Sequence, residues 1–172
     1  MDATNANDWP ATLAAALHGR VAVLCVGNEL RGDDALGPEL ARGLSVDEPW
    51  KVFDCGVAPE NWTGAVCSFR PDVVLVIDAI HWDAPPGAVR CWDANELAGA
   101  GLSTHHASLS LTLDVIRQST GAPGIVLGVQ PQSVELGEEM SPAAEAAVDR
   151  LQAELSEIHR RHAHASSGNP LE

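Results

Sequence analysis

Continuous apolar runs alternate along this chain with segments whose leucines recur every three or four positions. Residues 21–27, VAVLCVG, form an unbroken β-prone run that stops at a glycine, which predicts a strand buried on both faces. After the turn GNELRGDD, Leu36, Leu40 and Leu44 stand at helical spacing and predict a helix over 35–44. A second strand is expected over 52–55, a short helix over 61–69, and a third strand over 72–79, DVVLVIDA. The turn Pro85-Pro86-Gly87 leads into a fourth strand over 88–93. Thr104 or Ser103 can cap a helix over 106–118, with Leu109, Leu113 and Ile116 on one face. Residues 124–129, GIVLGV, are the fifth strand. Ser141 followed by Pro142 opens a last helix, whose apolar stripe is Val148, Leu151, Leu155 and Ile158.

Strands alternating with helices imply an α/β fold: one domain, with a mostly parallel, twisted five-stranded sheet and helices on both faces. The expected domain spans residues 21–160. Residues 1–20 read as a loosely attached lead-in or a short helix, and residues 161–172 as a frayed tail.

In open α/β sheets ligands gather beyond the carboxyl ends of the strands. Asn28, Glu29, Asp33 and Asp34 follow the first strand, Asp54 ends the second and Asp78 ends the third. His105 and His106 open the helix after the fourth. Two carboxylates and an imidazole on one rim suit a divalent metal such as Zn, Ni, Fe or Mn. The same groups could instead act on a water as general bases. Asp33 or Asp34 could equally cap the following helix. Asp78 ends an apolar strand, where a charge is costly to hide without a partner, and that favours a working role. His159, His162 and His164 look like a metal-binding tract but read better as the solvated end of a helix, and Trp62 and Trp82, which flank the rim, read as packing residues or partner contacts.

Charge narrows the classes. Among 172 residues, 24 acids face 10 bases, giving a formal net charge of −14 and a pI of about 4.7, and Lys51 is the one lysine. Such a surface repels phosphate backbones and anionic lipid, so no nucleic acid and no membrane is expected as a partner. A hydrophobic fraction of 45% is enough for a real core. No apolar run approaches the ~20 residues of a membrane span, and the first ten residues lack the features of a secretory signal. Cys25, Cys55, Cys67 and Cys91 have no C-x-x-C pair and read as reduced thiols in a cytoplasmic protein. The chain carries no G-x-x-x-x-G-K-[ST], no H-E-x-x-H and no G-x-S-x-G. The turn from Gly27 lacks the third glycine of a dinucleotide fingerprint, and its acids would repel a pyrophosphate.

The segment VGNELRGDDALGPELARGL resembles the G-N-x-L-x-x-D-[DE]-x-x-G signature of the hydrogenase maturation endopeptidases. The likeness continues through DCGVAPEN at 54–61, LVIDAI at 75–80, STHHASL at 103–109 and LGVQP at 127–131, in the family's order. The APEN variant is similar to the branch serving formate-hydrogenlyase-type hydrogenases. Ala35 stands where many relatives have a glycine.

The resemblance implies an endopeptidase that trims the C-terminal extension of the [NiFe] hydrogenase large-subunit precursor after nickel has been inserted. It carries the metal-contacting and catalytic roles onto Asp34, Asp78 and His105, the last chosen over His106 because Leu109 keeps the block in register. Asp54 and Asn28 would engage substrate or present Asp34. The implied nickel is supplied by the precursor, no organic cofactor is expected, and a monomer suffices. A nickel-binding maturation chaperone or sensor using the same three ligands without cleavage is the alternative. A nucleotide-binding α/β domain and a small-molecule hydrolase fit the charge and motifs less well.

Overall fold

The computed structural model describes residues 8–99 and 104–167, with side chains described over 8–97 and 108–164. Five strands, β1 (Val21–Val26), β2 (Trp50–Gly56), β3 (Val73–Ala79), β4 (Val89–Asp93) and β5 (Gly124–Val129), form one sheet in the order β2-β1-β3-β5-β4. All pairings are parallel except that of β4 with β5. The expected mostly parallel five-stranded sheet with helices on both faces is therefore found.

Every residue of β1 is buried, as are all but the last of β3, because both strands are central and covered on both sides. Helices α1 (Trp9–Ala16), α2 (Leu36–Gly43) and α6 (Pro142–Ser167) pack on one face, against Val21, Val23, Cys25, Leu75 and Ile77. Helices α3 (Thr63–Phe69), α4 (Ala94–Gly99) and α5 (Thr104–Thr120) cover the other, against Leu24, Val26, Val74, Val76 and Val126. The alternation of strand side chains thus sorts the core into two layers. Each fully buried Leu or Ile in them contributes about 1.5–3 kcal/mol relative to exposure. Among the described residues no helix is long and apolar enough to cross a membrane.

The ends of the chain and one connection differ from the sequence pattern. Within residues 1–20, expected as a lead-in or a short helix, Trp9–Ala16 form α1. Asp8 accepts a hydrogen bond from Ala11 N–H at its start, and Trp9, Leu13 and Leu17 are buried in the core. α4 was not expected. It begins with a reciprocal cap in which Asp93 Oδ1 accepts from Asn95 N–H while Glu96 Oε2 accepts from Asp93 N–H. The histidines of α6 are not a uniformly solvated end. His159 is buried edge-on to Trp50, its Nε2 3.1 Å from the Asp47 carbonyl oxygen and 3.2 Å from the Asp47 carboxylate.

Candidate active site

β1 pairs with β2 on one side and β3 on the other, so the chain moves outward from β1 to β2 and crosses back to β3, which puts the switch point between β1 and β3. The carboxyl ends of these two strands flank the crevice where such sheets bind ligands. Asp78 stands at the end of β3 and Asp34 on the loop leaving β1. Both therefore come to the crevice by topology rather than by sequence proximity.

The Asp34 loop is held by its own backbone. Asn28 N–H donates to both the main-chain oxygen and Oδ2 of Asp34, at 3.1 Å each, while Asn28 Oδ1 accepts from Leu30 N–H at 3.0 Å. A Cβ on Gly27, at φ +152°, would fall on the Asp34 carbonyl oxygen, so only glycine lets the chain turn there. Asp34 then sits in a 3₁₀ turn, Gly32–Ala35, that runs directly into α2. Ala35 has φ −70° and ψ −9°, an ordinary right-handed conformation that needs no glycine.

Asp78 is only 6% exposed. Burial, then the negative charge of Asp34, push its carboxyl well above the usual carboxylate range, partly opposed by a hydrogen bond from Ala79 N–H. A buried carboxyl beside a second negative charge is relieved by a cation or a proton, and hard oxygen donors suit a divalent metal. Asp78 lines a pocket of about 250 Å³ together with Val26, Val57, Pro59, Glu60, Ser108 and Leu109. A neighbouring hollow of about 390 Å³ shares Val57 and is lined by Asn28, Glu29, Leu30 and Asp54 among others. Asp54 is exposed there, accepting from Gly56 N–H at 3.3 Å, where β2 bulges against Cys25 and Val26.

Of the residues expected at the site, the structure brings Asp34 and Asp78 together and puts Asn28 and Asp54 in the adjoining hollow. His105 and His106 belong to the first turn of α5, one turn before Ser108 and Leu109, and their side chains lie outside the described residues. Among the described residues no group of three His, Cys, Asp or Glu side chains is placed to hold a metal. Trp82 is a packing residue, edge-on to Trp92 at 5.1 Å, whereas Trp62 is partly exposed and edge-on to Phe53 at 6.0 Å. Glu60 at the pocket wall was not anticipated, although the block DCGVAPEN carried it. Cys25, Cys55 and Cys91 are disfavoured as nucleophiles: burial pushes the Cys25 thiol up, and those of Cys55 and Cys91 up to about 12.

Asp33 neither faces the crevice nor caps α2. It is 1% exposed, and its carboxylate accepts from Gln132 N–H at 2.6 Å, Ser141 N–H at 2.6 Å and Ser141 Oγ–H at 2.9 Å. Ser141 Oγ also accepts from Ala144 N–H and so caps α6 as expected. Asp33 thereby ties the loop after β5 to the turn that carries Asp34. Asp33→Ala, leaving those buried donors unpaired, is expected to lower stability by about 2–4 kcal/mol. Chemical denaturation reads the loss, and protease cutting within 130–141 before global unfolding shows that this loop is what came free. An unchanged midpoint would mean the staple does not hold.

A family model described as hydrogenase maturation protease matches residues 35–158, a span that holds Asp78 and His105 and begins one residue after Asp34. The chain is 36% identical over 115 residues to the hydrogenase 3 maturation protease of Escherichia coli (strain K12), covering 65% of this chain and 73% of that one. It is 26% identical over 145 residues to a putative hydrogenase maturation protease of Methanocaldococcus jannaschii, covering 77% and 86%. The crystal structure of the [NiFe] hydrogenase maturation protease HycI from Thermococcus kodakarensis KOD1 superposes with a TM-score of 0.81 at 31% identity, covering 87% of this chain and 99% of that one.

Proposed function

The chain belongs to the hydrogenase maturation protease family, and from that premise we propose that it removes the C-terminal extension of a nickel-loaded [NiFe] hydrogenase large-subunit precursor. The observation that carries the reading is the Asp34–Asp78 carboxylate pair at the switch point of the sheet, with Asp78 buried and its proton affinity raised. The likeness to the hydrogenase 3 enzyme of E. coli supports the formate-hydrogenlyase-type branch.

In this reading nickel arrives as part of the substrate. Asp34 and Asp78, with His105 as the third ligand, take hold of the cation, and the strain between two crowded carboxylates falls as it enters. That grip tests whether the precursor is loaded and places the peptide bond beyond its nickel-binding cysteines at the crevice. A carboxylate oxygen of Asp78 left free by the cation would accept the proton of the attacking water. The cation polarises the carbonyl by its Lewis acidity. Asn28 holds the Asp34 loop, and Asp54 meets the peptide in the adjoining hollow. The enzyme works as a monomer in the cytoplasm, beside the assembling precursor.

The test mixes this protein with the cognate precursor prepared with and without nickel and follows intact mass. Loss of a C-terminal peptide from the loaded form alone is the expected result. Unchanged mass with a persistent complex would replace the protease with a nickel-checking chaperone.

A further inference from the structure

Three large apolar side chains stand out in water on the loops around the carboxylate crevice: Leu30 at 67% exposure, Val57 at 56% and Leu136 at 70%. Single exposed apolar side chains are ordinary, but three on converging loops beside a substrate crevice are an interaction signal. Leu30 and Val57 line the hollow next to Asp78. Leu136 lines neither hollow. Its loop is bound to the Leu30 loop by Gly137 N–H to Leu30 O at 2.8 Å, Gly32 N–H to Glu138 O at 3.1 Å and Arg31 Nε–H to Val134 O at 3.0 Å. The Asp33 staple closes the same junction from inside. A segment without helix or strand is thus held in one shape with a leucine at its tip, so its binding would lose little conformational entropy.

The charges on these loops are mainly negative, although Glu29 beside Leu30 is already paired with Arg42 of α2. Asp54, Glu60, Glu135, Glu138 and Glu139 are all exposed on the three loops. The loops spanning 27–34, 54–62 and 130–140 contain a single base, Arg31, which already donates to Val134. A cationic partner covering Leu136 would meet complementary charge there.

We propose that these loops form a preformed docking collar for a Lys/Arg-rich, apolar-centred surface on the body of the large-subunit precursor, separate from the tail that is removed. The inference rests on the protease reading above and deepens it by naming where the partner is held. The scissile segment occupies the crevice at Asp34 and Asp78, while Leu136 and the Glu138–Glu139 pair, which line neither hollow, grip the body. An anionic collar of this kind raises the encounter rate and orients the precursor before its tail is tested.

The experiment measures the affinity and the KM and kcat of the nickel-loaded precursor, and the affinity of the tail-less mature subunit, for wild type and three variants. Leu136→Ser is expected to weaken binding of both forms about tenfold and raise KM by a similar factor, with kcat within about twofold. Glu138→Lys/Glu139→Lys should do the same, with its effect shrinking in 0.5 M NaCl as charges are screened while that of Leu136→Ser persists. Leu111→Ser, removing an equally exposed leucine on α5, should change neither. Affinities within twofold of wild type for both collar variants would overturn the proposal. So would a mature subunit whose binding ignores Leu136, since the tail would then be the occupant. Failure of the wild type to shorten the precursor would instead strike the protease reading, with the collar still judged by the affinities.

Discussion

Asp78→Asn is expected to abolish shortening of the precursor while making the protein more stable at neutral pH. Asn keeps the shape of the side chain but removes both the negative charge and the ability to take a proton. Loss of a positioned base or ligand of this kind lowers turnover by about 10²–10⁴-fold. The gain in stability comes from the same burial that makes Asp78 useful. Its folded-state carboxyl titrates above its unfolded one, through loss of water and then repulsion from Asp34. Between the two titrations the folded state binds more protons than the unfolded, so stability falls as pH rises from the unfolded range through the raised folded one. Asn escapes that fall. The variant should exceed wild type by about 1–2 kcal/mol at neutral pH, roughly 3–6 °C in Tm, and the gap should close in acid, where Asp78 is protonated in both states. Thermal melts from pH 3 to 8 on protein without nickel or precursor read this directly. A variant that melts below wild type at pH 7, or still trims the precursor, would remove Asp78 from the role given to it.

That trade of stability for chemistry was partly readable in advance, because an apolar strand that ends in an acid is conspicuous in any sequence. β1 and β3 were readable for the same reason: central strands covered on both sides must be continuous apolar runs. β2 was expected over 52–55 and spans Trp50–Gly56. It is an edge strand with Lys51 and Asp54 in solvent, and so mixed a composition blurs its ends. α1 has a sparse stripe, Trp9, Leu13 and Leu17, set in alanines that favour a helix without declaring a buried face. The Asp93-to-Glu96 cap of α4 is legible as a D-x-x-E pattern, but the six-residue helix behind it has too short a stripe to declare itself. The work of Asp33 could not be seen. Its partners Gln132 and Ser141 lie about a hundred positions away, and nothing local separates a clamp from a helix cap or a ligand. Burial of His159 likewise depends on Trp50 across the fold.

The first motif block makes a sharper test, because two small residues three and one positions after Asp34 look alike in sequence and differ in the fold. Gly37→Ala is expected to cost about 3 kcal/mol, roughly 10 °C in Tm, and to take most of the activity with it. A Cβ at Gly37 would collide with the Val26 carbonyl oxygen and stand 2.6 Å from its carbonyl carbon and 2.8 Å from its amide nitrogen. All three are backbone atoms of β1 and cannot swing aside. α2 would have to lift from the sheet, and it begins two residues after Asp34. Ala35→Gly restores the residue that many relatives carry and should do almost nothing to activity. Ala35 already occupies a right-handed conformation open to any residue, so the glycine only adds freedom to the unfolded chain, a loss of about 0.5–1 kcal/mol. Denaturation midpoints and precursor mass for the two variants check the pair. If Gly37→Ala were tolerated, the close approach of α2 to β1 would not be what fixes the position of Asp34. The turn held by Gly27 and Asn28 would then have to position that carboxylate alone.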